Sequence, residues 1–176
     1  MSHQYQDIIS IFNQTFQDAY QTQLELGGDE PIYLPADEQH VYHRIIFARG
    51  FYASALHEIA HWCVAGAERR LLEDFGYWYH PDGRSVTAQA AFEQVELRPQ
   101  AYEWIFAISA GFSFSVSCDN LQGDFEPDRL AFKKKVQQEV LAILAQGLPT
   151  RVRLLSESLR QFYQTPPLEA TQFVVQ

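Results

Sequence analysis

Apolar residues in the first part of the chain return every three or four positions, the spacing that places side chains on one face of an α-helix. The pattern is carried by Tyr5, Ile8, Ile9, Phe12, Phe16 and Tyr20. It predicts an amphipathic helix over residues 2–24, and Gly27, Gly28 and Asp29 predict its end. The apolar side chains on this face are expected to pack into the core of the protein.

Three short runs of apolar and aromatic residues have the composition of β-strands and are bounded by residues typical of turns. They cover residues 32–34, 45–48 and 75–79. Pro31 and Pro35 confine the first run to the edge of a sheet, because proline cannot donate a ladder hydrogen bond. His40 and His43 lie in the polar loop between the first two runs and are expected to be solvated.

A helix is predicted over residues 51–66, and it contains His57-Glu58-Ile59-Ala60-His61, an H-E-x-x-H pattern. Side chains four positions apart lie about 40° apart around a helix axis, so both imidazoles can bind one metal ion. The opposite side of this helix is apolar and consists of Tyr52, Leu56, Ile59 and Cys63. The pattern therefore predicts a metal site on one face and core packing on the other.

The rest of the chain is predicted to be mainly helical. Ser85 or Thr87 can cap a helix that runs to about Glu96, and Pro99 is expected to start a separate helix after a break at residues 97–98. Two further helices are predicted over residues 130–146 and 150–163. The expected fold is a single α+β domain over residues 1–176, mainly helical, with a small sheet beside the H-E-x-x-H helix.

A third metal ligand is expected from a second helix, because two histidines alone leave a protein metal site incomplete. Glu93 and Glu96 lie three positions apart, on one face of the helix that follows Ser85. Either carboxylate could complete the site. The alternative is that both glutamates are surface charges, which would be the preferred interpretation without the H-E-x-x-H motif.

Composition and charge narrow the functional class. The chain has 176 residues, 47% of them hydrophobic, which is typical of a globular domain with a sizeable core. Its formal net charge of −9 argues against direct nucleic-acid binding. No run is long enough to span a membrane and no signal region opens the sequence, so a cytoplasmic protein is expected. Cys63 and Cys118 are expected to be free thiols.

An acidic segment over residues 113–128 precedes the helix predicted over residues 130–146. It does not match a calcium-binding loop, because Gly123 stands at the wrong offset and no glutamate follows in register. The simplest interpretation is that its end opens the next helix, with Pro127 at the first position. The functional alternative is that Asp119 and Asp124 receive a cationic substrate.

The chain resembles the bacterial elongation factor P hydroxylases over nearly its whole length. The resemblance is carried by five segments in the same order, which cover residues 29–37, 50–63, 74–79, 95–101 and 116–129. It implies that His57, His61 and Glu96 bind the metal, with Glu93 as the competing neighbour. It further implies hydroxylation of a modified lysine on elongation factor P, with Fe²⁺ as the metal, O₂ as co-substrate and an unidentified electron donor.

Other interpretations of the metal site stay open. A zinc peptidase with a glutamate as third ligand would use Glu58 as general base, whereas a hydroxylase would use Glu58 to support the metal or to relay protons. The longer H-E-x-x-H-x-x-G-x-x-H peptidase motif is absent. A binding module that is stabilised by a metal and has no enzymatic activity is the third possibility. A 2-oxoglutarate requirement is not expected, because that enzyme class carries an H-x-D motif followed much later by a histidine on a jelly roll, and this mainly helical chain does not have that combination.

Overall fold

The computed structural model describes residues 1–76 and 82–176, and it has the expected mainly helical α+β architecture. The helices it describes are α1 (Tyr5–Tyr20), α2 (Tyr52–Val64), α3 (Val86–Ala110), α4 (Arg129–Gln146) and α5 (Thr150–Tyr163). The strands are β1 (Thr22–Leu26), β2 (Ile32–Leu34) and β3 (His43–Phe47), and short 3-10 helices cover Arg69–Leu71, Glu73–Gly76 and Ala170–Gln172. None of the described helices is long and apolar enough to span a membrane.

The three strands form one sheet in the order β1-β3-β2. β1 runs parallel to β3 and β2 runs antiparallel to it, so that Leu24, Ile45 and Tyr33 stand side by side and are all buried. The predicted strand at residues 32–34 is confirmed, and β3 starts two residues before its prediction. α1 packs on β1, and α2 packs on β3.

β1 replaces the end of the first predicted helix, and that prediction was wrong beyond Tyr20. Gln21 adopts a left-handed conformation with φ 49°, which ends α1. Thr22 and Leu24 then alternate with more exposed neighbours, the burial pattern of a strand. The side chain of Asn13 accepts a hydrogen bond from the backbone N–H of Leu24 over 2.8 Å, which ties the new strand to α1.

Only the first two residues of the strand predicted at residues 75–79 lie in the described part of the chain. Phe75 and Gly76 belong to the 3-10 helix Glu73–Gly76, so the prediction was wrong at its start. The remainder of that prediction lies outside the described residues.

The apolar side of α2 packs into the core as predicted, and Trp62 next to it lies against α1. Trp62 is fully buried, and its ring centroid lies 5.3 Å from that of Phe12 and 5.0 Å from that of Phe16. Leu56 and Ile59 are buried in the same cluster. This packing fixes the rotation of α2 about its axis and thereby turns His57 and His61 toward α3.

α3 is one continuous helix, so the predicted break at residues 97–98 was wrong. Ser85 caps it as predicted, by accepting a hydrogen bond from the Ala88 N–H over 3.2 Å. Pro99 lies inside the helix and is buried, although a proline in a helix interior costs about 3 kcal/mol. Packing of α3 against α2, α4 and α5 offsets this cost. Because the helix continues, Glu96, Gln100 and Glu103 share one face.

The last two helices follow their predictions closely. Asp128 caps α4 by accepting a hydrogen bond from the Ala131 N–H over 2.9 Å, so the helix begins at Arg129 and the prediction of Pro127 at its first position was wrong. The helix ends before Gly147. The acidic segment over residues 113–128 contains neither helix nor strand and connects α3 to α4. Cys63 and Cys118 are free thiols, as expected.

Candidate metal centre

His57, His61 and Glu96 meet between α2 and α3. The Nε2 atoms of the two histidines lie 3.1 Å apart. Glu96 Oε1 lies 2.8 Å from His61 Nε2, and Glu96 Oε2 lies 3.6 Å from His57 Nε2. One candidate ligand atom from each residue falls within 4.8 Å of the other two. Among the described residues, this is the one group of three or more histidine, cysteine or acidic side chains with such an arrangement.

The three side chains differ in their access to solvent. Glu96 is 1% exposed and His61 is 6% exposed. His57 is half-buried, with 23% of its side chain exposed. A buried carboxylate is costly unless it is paired, and the imidazoles supply that pairing here. A metal ion bound by these groups would therefore be reached from the His57 side.

Glu96 is held in place by its neighbour one turn along α3. The Gln100 side-chain amide donates a hydrogen bond to Glu96 Oε2 over 3.0 Å, and both residues are buried. Glu96 Oε1 is directed at His61. The carboxylate is thus oriented by one partner on each oxygen.

Glu103 is part of the site, although it was not among the predicted residues. Its Oε2 lies 2.8 Å from Nδ1 of His57, so the carboxylate can accept the Nδ1–H hydrogen bond and leave Nε2 available to a metal. Carboxylates bonded in this way to metal-ligating histidines fix the tautomer and raise the basicity of the ring. The signal was available in the spacing, because Glu103 follows Glu96 by two helical turns. The wrongly predicted break at residues 97–98 placed Glu96 and Glu103 in separate helices, so this spacing was not used.

The electrostatics of the cluster favour a charged pair. Burial alone would lower the pKa of His57, but the carboxylates of Glu103 and Glu96 outweigh it and raise this pKa to about 10. Burial would raise the pKa of Glu96, yet the two imidazoles and the Gln100 amide lower it to about 2. Without a metal, a proton on His57 therefore compensates the buried carboxylates.

Glu58 and Glu93 were the other predicted candidates. Glu58 is half-buried beside His57 on α2, and burial raises the pKa of its carboxyl group. Glu93 is half-buried on α3 and does not belong to the candidate ligand group. Of the two possible third ligands, Glu96 is the one that lies with the histidines.

The remaining predicted positions lie away from this cluster. His40 contacts Asp37 over 2.8 Å in an exposed loop, and His43 Nδ1 accepts a hydrogen bond from the Ala36 N–H over 2.9 Å. In the acidic segment, Asp119 pairs with Arg129 over 3.1 Å at the surface.

Comparison with known proteins agrees with the resemblance found in the sequence. A family described as elongation factor P hydroxylase matches residues 11–173. A curated relative from Haemophilus influenzae, named elongation factor P lysine hydroxylase, is 56% identical over 165 residues, which cover 94% of this chain and 92% of the relative. The family match runs from within α1 to beyond α5 and includes the sheet and every residue of the candidate metal centre. The chain therefore belongs to the elongation factor P hydroxylase family.

Proposed function

We propose that this protein is a metal-dependent hydroxylase that acts on a modified lysine side chain of elongation factor P. The single observation that carries the proposal is the meeting of His57, His61 and Glu96 in a chain of this family. The name of the relative from Haemophilus influenzae supports the substrate. The substrate would be a protein, and neither nucleic acid nor a membrane is required as a partner.

The residues of the cluster fit a divalent metal ion. They supply two imidazole nitrogens and one carboxylate, the donor set typical of non-haem Fe²⁺ oxygenases, which accept O₂ beside three protein ligands. The buried Glu96 carboxylate also provides the negative charge that a divalent ion needs. Fe²⁺ bound here would supply the activation of O₂ that an unreactive lysine methylene requires. The balanced reaction consumes O₂, two electrons and two protons and yields the hydroxylated lysine and water, so an external reductant takes part.

The protein itself would orient, shield and move protons. Glu103 holds the His57 ring through Nδ1, and Gln100 holds the Glu96 carboxylate. Glu58 lies beside the site with a pKa raised by burial, and it is suited to hold a proton and release it during turnover. We assign Glu58 this proton-relay role. Burial of His61 and Glu96 excludes water from one side of the site.

The charge of the protein favours a cationic substrate. Its net charge is −9, and Asp119 and Asp124 contribute exposed carboxylates from the acidic segment. Opposite charges on two proteins speed their encounter and favour the correct orientation. A lysine-bearing loop of elongation factor P fits this expectation.

Mass spectrometry of elongation factor P tests the proposal. Elongation factor P would be isolated from cells that contain this protein, from cells that lack it, and from cells with the His57→Ala or Glu96→Ala variant. We expect one added oxygen on the lysine-bearing loop with the wild type and none with either variant. An identical mass in all four samples would rule out hydroxylation of this substrate.

A zinc peptidase shares the H-E-x-x-H pattern and is the alternative to be tested beside it. In a peptidase, Glu58 is the general base, so Glu58→Gln should abolish nearly all activity. In the proposed hydroxylase, Glu58 only relays protons, so the same variant should retain part of its activity. The metal content of the purified wild type is an independent test, because iron would favour the hydroxylase and zinc would favour the peptidase.

A further inference from the structure

One face of α3 carries a row of buried polar side chains. Gln89, Glu96, Gln100 and Glu103 fall within about 60° of arc around the helix axis. Each of the four is at most 9% exposed. Glu96 and Glu103 contact the histidines of α2. The two glutamines instead contact the first part of the acidic segment, residues 117–118.

Gln100 joins the two groups of contacts through a single amide. Its Oε1 accepts a hydrogen bond from the Ser117 N–H over 2.9 Å, and its Nε2 donates to the Ser117 carbonyl over 2.7 Å. The same Nε2 donates to Glu96 Oε2 over 3.0 Å. The orientation of the amide is fixed, because a flipped amide would face the Ser117 N–H with another donor. Both hydrogens of the NH₂ group therefore have an acceptor.

Gln89 makes a similar contact with the backbone but does not touch the candidate ligands. Its Nε2 donates to the Cys118 carbonyl over 2.9 Å, and its Oε1 accepts a hydrogen bond from Arg84 Nε over 2.6 Å. Arg84 also donates to the Asp119 carbonyl over 2.6 Å. The acidic segment is thus held on α3 at two places, and only one of them leads to the metal centre.

We infer that Gln100 is a positioning residue that couples the Glu96 carboxylate to the acidic segment. A metal ion that fixes the Glu96 carboxylate also fixes the Gln100 amide. The amide in turn fixes the backbone at Ser117. Coupling between two sites is reciprocal. The factor by which a bound metal favours the ordered segment is therefore also the factor by which the ordered segment strengthens metal binding. The role assigned to Gln100 rests on one part of the proposed function, the binding of a metal ion by Glu96.

Through this coupling the acidic segment would affect the metal centre, in addition to attracting a cationic substrate by its charge. A protein substrate that docks on the segment would act on the backbone at Ser117 and, through Gln100, on one ligand of the metal. The connection is short, because a single side chain separates Ser117 from Glu96. It is also shielded from solvent, since Gln100 is fully buried.

Two isosteric substitutions separate this coupling from general loosening of the segment. Gln100→Met removes all three amide hydrogen bonds, whereas Gln89→Met removes contacts to the same segment and leaves the neighbours of Glu96 unchanged. Co²⁺ is the probe, because it gives a visible spectrum that reports on its ligands. Its dissociation constant is measured by calorimetry for the wild type and both variants in the full chain.

We expect Gln100→Met to weaken Co²⁺ binding about 10- to 100-fold, the usual effect of losing a partner that orients a metal ligand. Gln89→Met should stay within about threefold of the wild type, since the orientation of Glu96 is retained. Equal losses in both variants, or no loss in Gln100→Met, would overturn the inference. The Co²⁺ spectrum should change in Gln100→Met and not in Gln89→Met.

Hydrogen exchange of the wild type provides a test that needs no variant. Adding Co²⁺ should slow exchange of the Ser117 amide, which donates to Gln100. An unchanged exchange rate of the Ser117 amide in protein saturated with Co²⁺ would also overturn the inference. These measurements do not involve elongation factor P. A coupled metal site in a protein that leaves elongation factor P unmodified would refute the proposed function and leave the role of Gln100 standing.

Discussion

The two sides of α2 show how one helix separates stability from function. On one side, Trp62 packs on Phe12 and Phe16 in the hydrophobic core. On the other side, His57 and His61 face the carboxylates of α3. The first side is stabilised by burial of apolar area, which requires no specific partner atom. The second side depends on each charge having its counterpart in place.

The difference predicts different consequences of mutation. A change on the apolar side should act on the free energy of unfolding, with or without a metal. A change on the polar side should act on metal binding and on activity, with a smaller effect on the fold. Proteins tolerate buried charges of this kind where they are needed for function, because apolar residues would give a core of equal or greater stability.

The largest effect is expected from a substitution on the polar side. His61→Ala removes a buried imidazole that lies 2.8 Å from Glu96, so metal content and hydroxylation should both fall below detection. The fold should persist, as judged by circular dichroism, because the aromatic cluster is untouched. His40→Ala is the matched control, since His40 lies in an exposed loop. Retained metal and activity in His61→Ala would exclude the proposed site.

A substitution on the apolar side is expected to lower the stability of the fold and not to act through the metal. Trp62 is fully buried, and truncation of such a side chain costs about 3–5 kcal/mol of stability. Trp62→Ala should therefore lower the free energy of unfolding in urea by this amount, and the loss should be the same with and without Co²⁺. Trp62→Phe is the control, because it keeps an aromatic ring in the cluster. A loss that vanishes when Co²⁺ is added would mean that the two sides are not separable.

The polar side of α2 could be predicted from the sequence because it depends on local spacing. His57, His61 and the apolar positions opposite them all lie within one helix, and helix geometry fixes their directions. Glu96 was also among the predicted candidates, because a third metal ligand was expected from a second helix and few carboxylates were available there. Its choice over Glu93 before the structure was known depended on the resemblance to a family.

Glu103 and β1 could not be predicted in the same way, because both depend on where a helix ends. Pro99 predicted a helix start, but packing on three neighbouring helices keeps α3 continuous through it. At Gln21, a left-handed residue ended α1 without a glycine. In both places tertiary packing determines whether the helix continues or ends, because the local sequence preference is too weak to determine it.

A smaller effect is expected for the residue that the sequence did not reveal. Glu103→Gln keeps the shape of the side chain but removes the charge that faces Nδ1 of His57. Metal affinity should fall about 10- to 100-fold, as is usual for partners of metal-ligating histidines. Glu139→Gln changes a carboxylate that pairs with Arg98 at the surface and serves as control. Equal Co²⁺ affinities of Glu103→Gln and wild type would show that Glu103 does not support the metal.

The smallest effect concerns the pH dependence of the polar side. The pKa of His57 is raised to about 10, so its ion pairs stabilise the metal-free fold fully below about pH 6.5 and are lost as pH rises toward 10. A metal must displace this proton. Stabilisation by Co²⁺ should therefore grow between pH 7 and 8.5, by at most about 1.4 kcal/mol per pH unit for one proton.

The measurement is the free energy of unfolding in urea at several pH values within this range, with and without Co²⁺. The metal-free protein should become less stable as the pH rises, whereas the increment due to Co²⁺ should increase. Trp62→Phe should show the same increment, because it changes only the apolar side. His61→Ala should show none. An increment that does not vary with pH in the wild type would mean that the metal binds without releasing a proton from His57.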